Sequence, residues 1–190
     1  MELIERILEA GNLTQACREV VKNKGASGVD KMTVKELKQY LDDHRQELVS
    51  IIHNGTYQPQ PIRGKHIPKG KGKSRLLGIP TVVDRMLQQA VLRVIMPQYE
   101  YMFSDYSYGF RPRRNTHQAI AKSLSYINSG YQHIVEIDLK RFFDEVDHVL
   151  LLQLLYRKIK CKTTMRLIRR WLKVPIEIDG KLVKRRKGVP

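Results

Sequence analysis

Asp138 is the side chain best placed to do chemistry. It sits near the end of an apolar run in HIVEIDLKRFFDEVDH, residues 133–148. Side chains alternate along a strand, so Val135, Ile137 and Leu139 face one way and Glu136 and Asp138 the other. A carboxylate leaving an apolar strand is costly to bury alone, and a divalent metal is one good partner for it. A nearby lysine is the other, and periodicity does not choose between them. Phe142 and Phe143 follow, then Asp144 and Asp147, which read as turn and cap residues.

The second kind of chemistry is phosphate binding. Thirty-five Lys and Arg against 19 Asp and Glu give a net charge of +16 on 190 residues. The imbalance starts late: residues 1–58 carry a net −1 and residues 59–190 a net +17. Two stretches contain no acid. Pro59–Arg75 holds Arg63, Lys65, Lys69, Lys71, Lys73 and Arg75; Tyr156–Leu172 holds Arg157, Lys158, Lys160, Lys162, Arg166, Arg169 and Arg170. In a helix over 163–173, at roughly 100° per residue, Arg166, Arg169, Arg170 and Lys173 share one narrow arc opposite Leu167, Ile168, Trp171 and Leu172. A solvated face or an anionic membrane surface would also accept such a helix. The charge map favours nucleic-acid phosphate. SYGFRPRRN, residues 107–115, adds Tyr108, Phe110, Arg111, Arg113 and Arg114 beside Gly109. Aromatic and guanidinium planes stack on bases, although the same rings turned inward would merely hold a loop.

Several classes are excluded or disfavoured. There is no Walker A, HExxH, CxxC or GxSxG pattern. Two cysteines far apart, Cys17 and Cys161, give neither a disulfide framework nor a metal spacing. An acidic N-terminus and the absence of a long apolar window lead us to expect a soluble, intracellular, cytoplasmic protein with no membrane partner.

These residues need elements to hold them. Helical periodicity covers 1–10, 33–53, 84–96, 116–128, 148–159 and 163–173, with Asn115 or Thr116 and Asp147 as caps and with Ile120, Leu124 and Ile127 facing inward. Strands are predicted at 62–68, 74–80 and 132–139. The first two are joined by the Gly/Lys turn Lys69–Lys73, and a further hairpin turns at Asp179–Gly180.

The order of these pieces resembles the front half of a group II intron reverse transcriptase, or maturase. SGVDKMT (27–33) resembles the family's N-terminal extension loop and IPKGKGKSRLLGIPTVVDRMLQQA (67–90) its fingers hairpin and helix. FSDYSYGFRPRRNTHQAI (103–120) resembles its template-contacting block, VEIDLKRFFDEVDH (135–148) polymerase motif A, and KRRKGVP (184–190) the run-in to the next block. The resemblance implies an α+β, right-hand polymerase fold, helix-rich with short antiparallel strands. It implies an N-terminal extension over 1–30, fingers over 31–85 and 148–190, and an incomplete palm over 86–147.

The resemblance also implies roles. Asp138 would be a metal ligand, with the backbone carbonyl of Leu139 as a second contact. Lys69 and Arg75 would hold the incoming triphosphate, with Arg141 and Phe142 beside it and Phe143 as the gate against a 2′-hydroxyl. Gly109, Phe110, Arg111, Pro112 and Arg113 would meet template, as would the extension-loop residues Lys22, Lys24 and Gly28. The partners implied are intron RNA, template–primer and dNTP; the cofactor is Mg²⁺, two ions in a full-length bacterial enzyme.

The QGSPLSP-like and YADD segments of the family do not occur in these 190 residues, and Lys69–Lys73 replaces the expected Pro-Asn-Gly turn. The chain is therefore expected to bind RNA without polymerising alone and to hold no Mg²⁺ tightly. A homodimer through apolar surface around Val174–Val189 is a further expectation. Two other readings stay open: a purely RNA-binding, splicing-assisting module, and a metal-dependent nuclease using Glu136, Asp138 and Asp144.

Overall fold

A computed structural model describes residues 2–70 and 72–189; Met1, Lys71 and Pro190 lie outside the described residues. The chain divides into two units, Met1–Ile95 with Arg141–Pro190, and Met96–Lys140.

The first unit is built on amphipathic helices. α1 (Leu3–Leu8) and α2 (Ala10–Lys22) meet at Glu9, whose extended ψ of 136° separates them. Ile4, Ile7, Leu13, Ala16, Cys17 and Val20 turn inward, against Leu37, Leu41, Leu48 and Ile52 of α3 (Leu37–His53). The sequence reading stopped the first helix at residue 10. The small residues Ala16 and Cys17 dilute an i, i+3, i+4, i+7 pattern that nevertheless runs on from Leu13 to Val20.

β1 (Ile62–Pro68) and β2 (Ser74–Ile79) form the expected hairpin. α4 (Val82–Glu100) follows and buries Met86, Leu87, Ala90 and Val91 in the same core. Polar groups lock α2 to α4: Asn12 donates to the Ala90 carbonyl at 3.0 Å, and Gln89 to Glu19 at 2.7 Å.

In the second unit, α5 (Thr116–Asn128) starts on a capping box. Asn115 accepts from the Gln118 N–H at 3.1 Å, and the Gln118 side chain accepts from the Asn115 N–H at 3.0 Å. Two expectations fail here. Residues 132–139 form no strand, and Ile137 is 84% exposed. A strand exists only within a ladder, and none of the described strands pairs with this one. Ile120, Leu124 and Ile127 are likewise about half exposed rather than inward, because no sheet lies against α5 within this unit.

Back in the first unit, a short α6 (Phe142–Glu145) leads to α7 (His148–Ile159), which Asp147 caps by accepting from the Leu150 N–H at 2.8 Å. α8 (Lys162–Lys173) packs Leu167 and Trp171 into the core. β3 (Ile176–Ile178) and β4 (Lys181–Val183) turn at Asp179 (φ 49°) and Gly180 (φ 76°), the two left-handed positions a tight hairpin needs.

The four strands make one sheet, ordered β2-β1-β3-β4. The β1–β3 pair is parallel, with Ile62 opposite Ile176, so the sheet is mixed and not purely antiparallel. Ile62, Val174 and Ile176 are buried together, which covers part of the apolar surface expected around Val174–Val189. The chain's end straps α6 to α7. The Gly188 N–H donates to the Val146 carbonyl and the Val189 N–H to that of Phe143, both at 2.8 Å, while His148 Nε2 donates to the Gly188 carbonyl at 2.7 Å.

Candidate nucleotide and RNA interface

The β1–β2 hairpin presents a cationic face. Opposed residues of an antiparallel pair share a face, and Lys65 opposes Leu77 while Ile67 opposes Arg75. The turn closes with the Lys69 N–H donating to the Lys73 carbonyl at 2.8 Å, which continues the register. Period-two alternation then puts Lys65, Lys69, Lys73 and Arg75 on one face, exposed and with no acid among them. Lys69 and Arg75, expected together at the triphosphate, thus lie on one face of the hairpin. Lys71, at the tip, is outside the described residues.

α8 carries the second cluster. Arg166, Arg169, Arg170 and Lys173 line a groove of about 420 Å³ with Gln58 and Pro59. Arg166 lies over Gly55, and Arg170 donates to the Tyr57 carbonyl, so these two also hold the groove's wall. Arg169 and Lys173 are exposed.

Behind the groove is a residue the sequence reading passed over. Asp84 is 1% exposed. Its Oδ1 accepts from the Tyr57 hydroxyl at 2.8 Å and from Trp171 Nε1 at 2.9 Å; its Oδ2 accepts from the Thr81 hydroxyl at 2.9 Å and the Gln60 N–H at 3.2 Å. Burial pushes the Asp84 carboxyl above its ordinary value, and these donors pull it back. The same contacts, with burial first, push the Tyr57 phenol far up. One carboxylate therefore ties α4, the segment entering β1, and α8. Its signal was present in Thr81-Val82-Val83-Asp84, the capping-box spacing: Thr81 Oγ1 accepts from the Asp84 N–H at 3.1 Å.

In the second unit the loop 107–115 sorts its residues. Arg111 faces in: its side chain is 6% exposed and donates to Glu100 Oε1 at 2.8 and 3.1 Å, to the Ser104 carbonyl at 2.6 Å and to the Ser107 carbonyl at 2.9 Å. It clamps the loop and has little left for a template. Phe110 is 99% exposed at φ 54°, and Arg113 is exposed at φ 60°. Pro112 and Gly109 are exposed beside them.

The front loop is similarly divided. Lys22 and Lys24 are exposed, whereas Gly28 is buried. A Cβ on Gly28 would meet Thr81 Cα at 2.7 Å and Thr81 N at 2.8 Å, so only glycine seats the loop on the start of α4. Arg85 reinforces the seat by donating to the Ala26 carbonyl at 2.7 Å. Gly28→Ala should cost about 1–3 kcal/mol, as overpacking against backbone does. A thermal melt checks this, and an unchanged midpoint would refute the seat.

Asp138 and Leu139 are exposed at the end of the unpaired segment in the second unit. In the first unit, Arg141 (φ 53°) pairs with Asp144 at 3.2 Å, and the Phe142 and Phe143 rings meet edge-on at 5.3 Å between centroids. Among the described residues no group of three or more His, Cys, Asp or Glu is placed to hold a metal ion. Mg²⁺ keeps several waters and takes one or two carboxylates with phosphate oxygens, so Asp138 and the Leu139 carbonyl would supply part of such a shell. A two-metal site needs further carboxylates besides Asp138.

The matches to known proteins agree with the order of these parts. The pattern of the family "Reverse transcriptase (RNA-dependent DNA polymerase)" covers residues 67–190. The group II intron-encoded protein LtrA of Lactococcus lactis subsp. cremoris is 35% identical over 178 residues, 92% of this chain and 29% of that protein. Protein YkfC of Escherichia coli K12 is 36% identical over 194 residues, 99% of this chain and 51% of its own length. The chain thus spans about half or less of these relatives. Among solved structures, a partial Cas6-RT-Cas1–Cas2 complex superposes on the whole chain with a TM-score of 0.64 at 23% identity, over 31% of its own chain; this likeness is one of fold. No helix among the described residues is long and apolar enough to cross a membrane. The chain belongs to the reverse transcriptase family, and within it is similar to the group II intron-encoded proteins.

Proposed function

We propose that this chain is the fingers and part of the palm of a group II intron-encoded RNA-directed DNA polymerase that also assists splicing of its intron. In this reading residues 1–30 are an N-terminal extension, 31–85 and 148–190 fingers, and 86–147 palm. The single observation that carries it is the cationic face of the β1–β2 hairpin. Lys69 and Arg75 share a face there with two further lysines, a suitable cradle for a triphosphate. Phe143 guards the 2′ position, and Arg141 and Phe142 lie along the nucleotide. Phe110, Pro112 and Arg113 meet template RNA, Arg111 and Gly28 hold the loops that do so, and Lys22, Lys24 and the α8 cations bind phosphate. The protein works in the bacterial cytoplasm, where its RNA is made.

Asp138 is one of the carboxylates that a two-metal site requires. The others come from a longer form of the protein, since the relatives extend beyond the matched part. The 190-residue chain should therefore not extend a primer on an RNA template with dNTPs and Mg²⁺. A longer form should do so, and Asp138→Ala should abolish its extension. Extension by the short chain would overturn the need for further carboxylates, and extension that survives Asp138→Ala would overturn the polymerase reading.

A further inference from the structure

Residues 99–131 hold six of the chain's nine tyrosines, Tyr99, Tyr101, Tyr106, Tyr108, Tyr126 and Tyr131, with Phe103 and Phe110. Three of these rings form a cluster that runs from Tyr106, at the edge of the block likened to a template contact, across α5 to Tyr131. Tyr106 and Tyr126 have centroids 6.3 Å apart at 46°, and Tyr126 and Tyr131 meet edge-on at 5.7 Å and 79°. Lys122, one turn before Tyr126 on α5, places its ammonium 5.5 Å from the centre of Tyr106 and 4.8 Å from that of Tyr126. These rings are not a core: Tyr106 is 62% and Tyr131 67% exposed. Hydrogen bonding to Tyr106 pushes the Tyr126 phenol up to about 12.

Exposed rings held by a cation suit one class of ligand. Every base has a π-face that stacks on an aromatic ring, and only an unpaired strand offers it; the ammonium between the rings meets the strand's phosphate. The neighbouring cations Arg111 and Arg114 are engaged with Glu100 and Asp105, which leaves Lys122 and the exposed Arg113 to supply the charge complementarity.

We propose that Tyr106, Tyr126 and Tyr131, with Lys122, form a stacking platform for single-stranded RNA. It rests on the reading that this chain binds RNA, and it adds that the strand reaching α5 is unpaired and is held by its bases. Stacking on the rings releases no counterions, so losing the rings while Lys122 stays has a signature distinct from losing a phosphate contact.

The test uses the whole 190-residue chain, a twelve-nucleotide oligouridine and an RNA duplex of equal length, with binding read by fluorescence anisotropy across a salt series. Tyr106→Ala with Tyr131→Ala should weaken oligouridine binding roughly 10-fold or more, with the salt slope and duplex affinity unchanged. Unchanged oligouridine affinity, or equal losses on both RNAs with a shallower slope, would overturn the platform. Wild-type chain that binds neither RNA would sink the RNA reading itself. A second measurement needs no variant: 4-thiouridine in the oligomer should photocrosslink to peptides carrying Tyr106, Tyr126 or Tyr131. Crosslinks confined to α8 would refute the proposal.

Discussion

Asp84→Asn should lower the melting temperature by roughly 4–16 °C, the largest effect on stability expected of a single substitution. Asp84 is an acceptor only, and four donors converge on its two oxygens. An asparagine keeps one acceptor oxygen and turns the other position into a donor. With the amide nitrogen on one side it faces the Trp171 and Tyr57 donors; flipped, it faces the Gln60 N–H, which cannot rotate away. Losing such bonds inside a buried site costs about 2–4 kcal/mol. Trp171 is the chain's only tryptophan, so its emission reports this site directly and should shift along with the melt.

The pH dependence has a definite sign. The folded carboxyl titrates above its ordinary value. Its contribution to stability is thus fully present below the unfolded pKa, roughly 4, and is lost as pH rises through the folded value. The stability gap between wild type and Asp84→Asn should widen as pH falls toward 4. A gap that narrows instead would show that the carboxylate's charge, not its buried geometry, dominates.

Arg169→Ala with Lys173→Ala should weaken RNA binding roughly 25- to 60-fold at 0.1 M salt and make log affinity shallower in log salt by roughly one to two. Each phosphate contact releases counterions worth a slope of about 0.7–0.9, so two lost contacts give both numbers. These two cations are the suitable pair, because both are exposed, whereas Arg170 holds the Tyr57 carbonyl and Arg166 covers Gly55. Phosphate carries no sequence, so different RNAs should weaken alike. Lys22→Ala with Lys24→Ala, in the charge-balanced front segment, should change the slope less. An unchanged slope in the Arg169/Lys173 variant would remove α8 from the RNA surface.

The legible parts of the fold were those whose information is local. The hairpins at Lys69–Lys73 and Asp179–Gly180, the Asn115 and Asp147 caps and the two-faced α8 all follow from spacing within a dozen residues. The parallel β1–β3 pair did not, because nothing in Ile62 or Ile176 announces a partner so remote. The strand expected at 132–139 failed for the complementary reason. Alternation says which face a residue would take, yet a ladder needs a neighbour that alternation cannot supply. At the candidate site, residue type located the cations but not their duties. Arg111 and Arg113 are two positions apart and read alike, yet one is a buried clamp and the other a free guanidinium. Asp84 was missed because an acid in the first turn of a helix ordinarily needs no explanation; only its burial makes it the hub of three elements.

The β1–β3 pair also bears on chain entropy. It joins the two pieces of the first unit across everything between them, including residues 96–140. Closing so long a loop costs roughly 3 kcal/mol more than closing a hairpin turn, but each further doubling of its length adds only about 0.6 kcal/mol. The cost of bringing Ile62 to Ile176 is therefore almost insensitive to how much chain is threaded between them. A frame closed in this way tolerates insertions and deletions in the intervening unit while its own register holds, so residues 96–140 can change length without remaking the hairpins and α8 of the first unit.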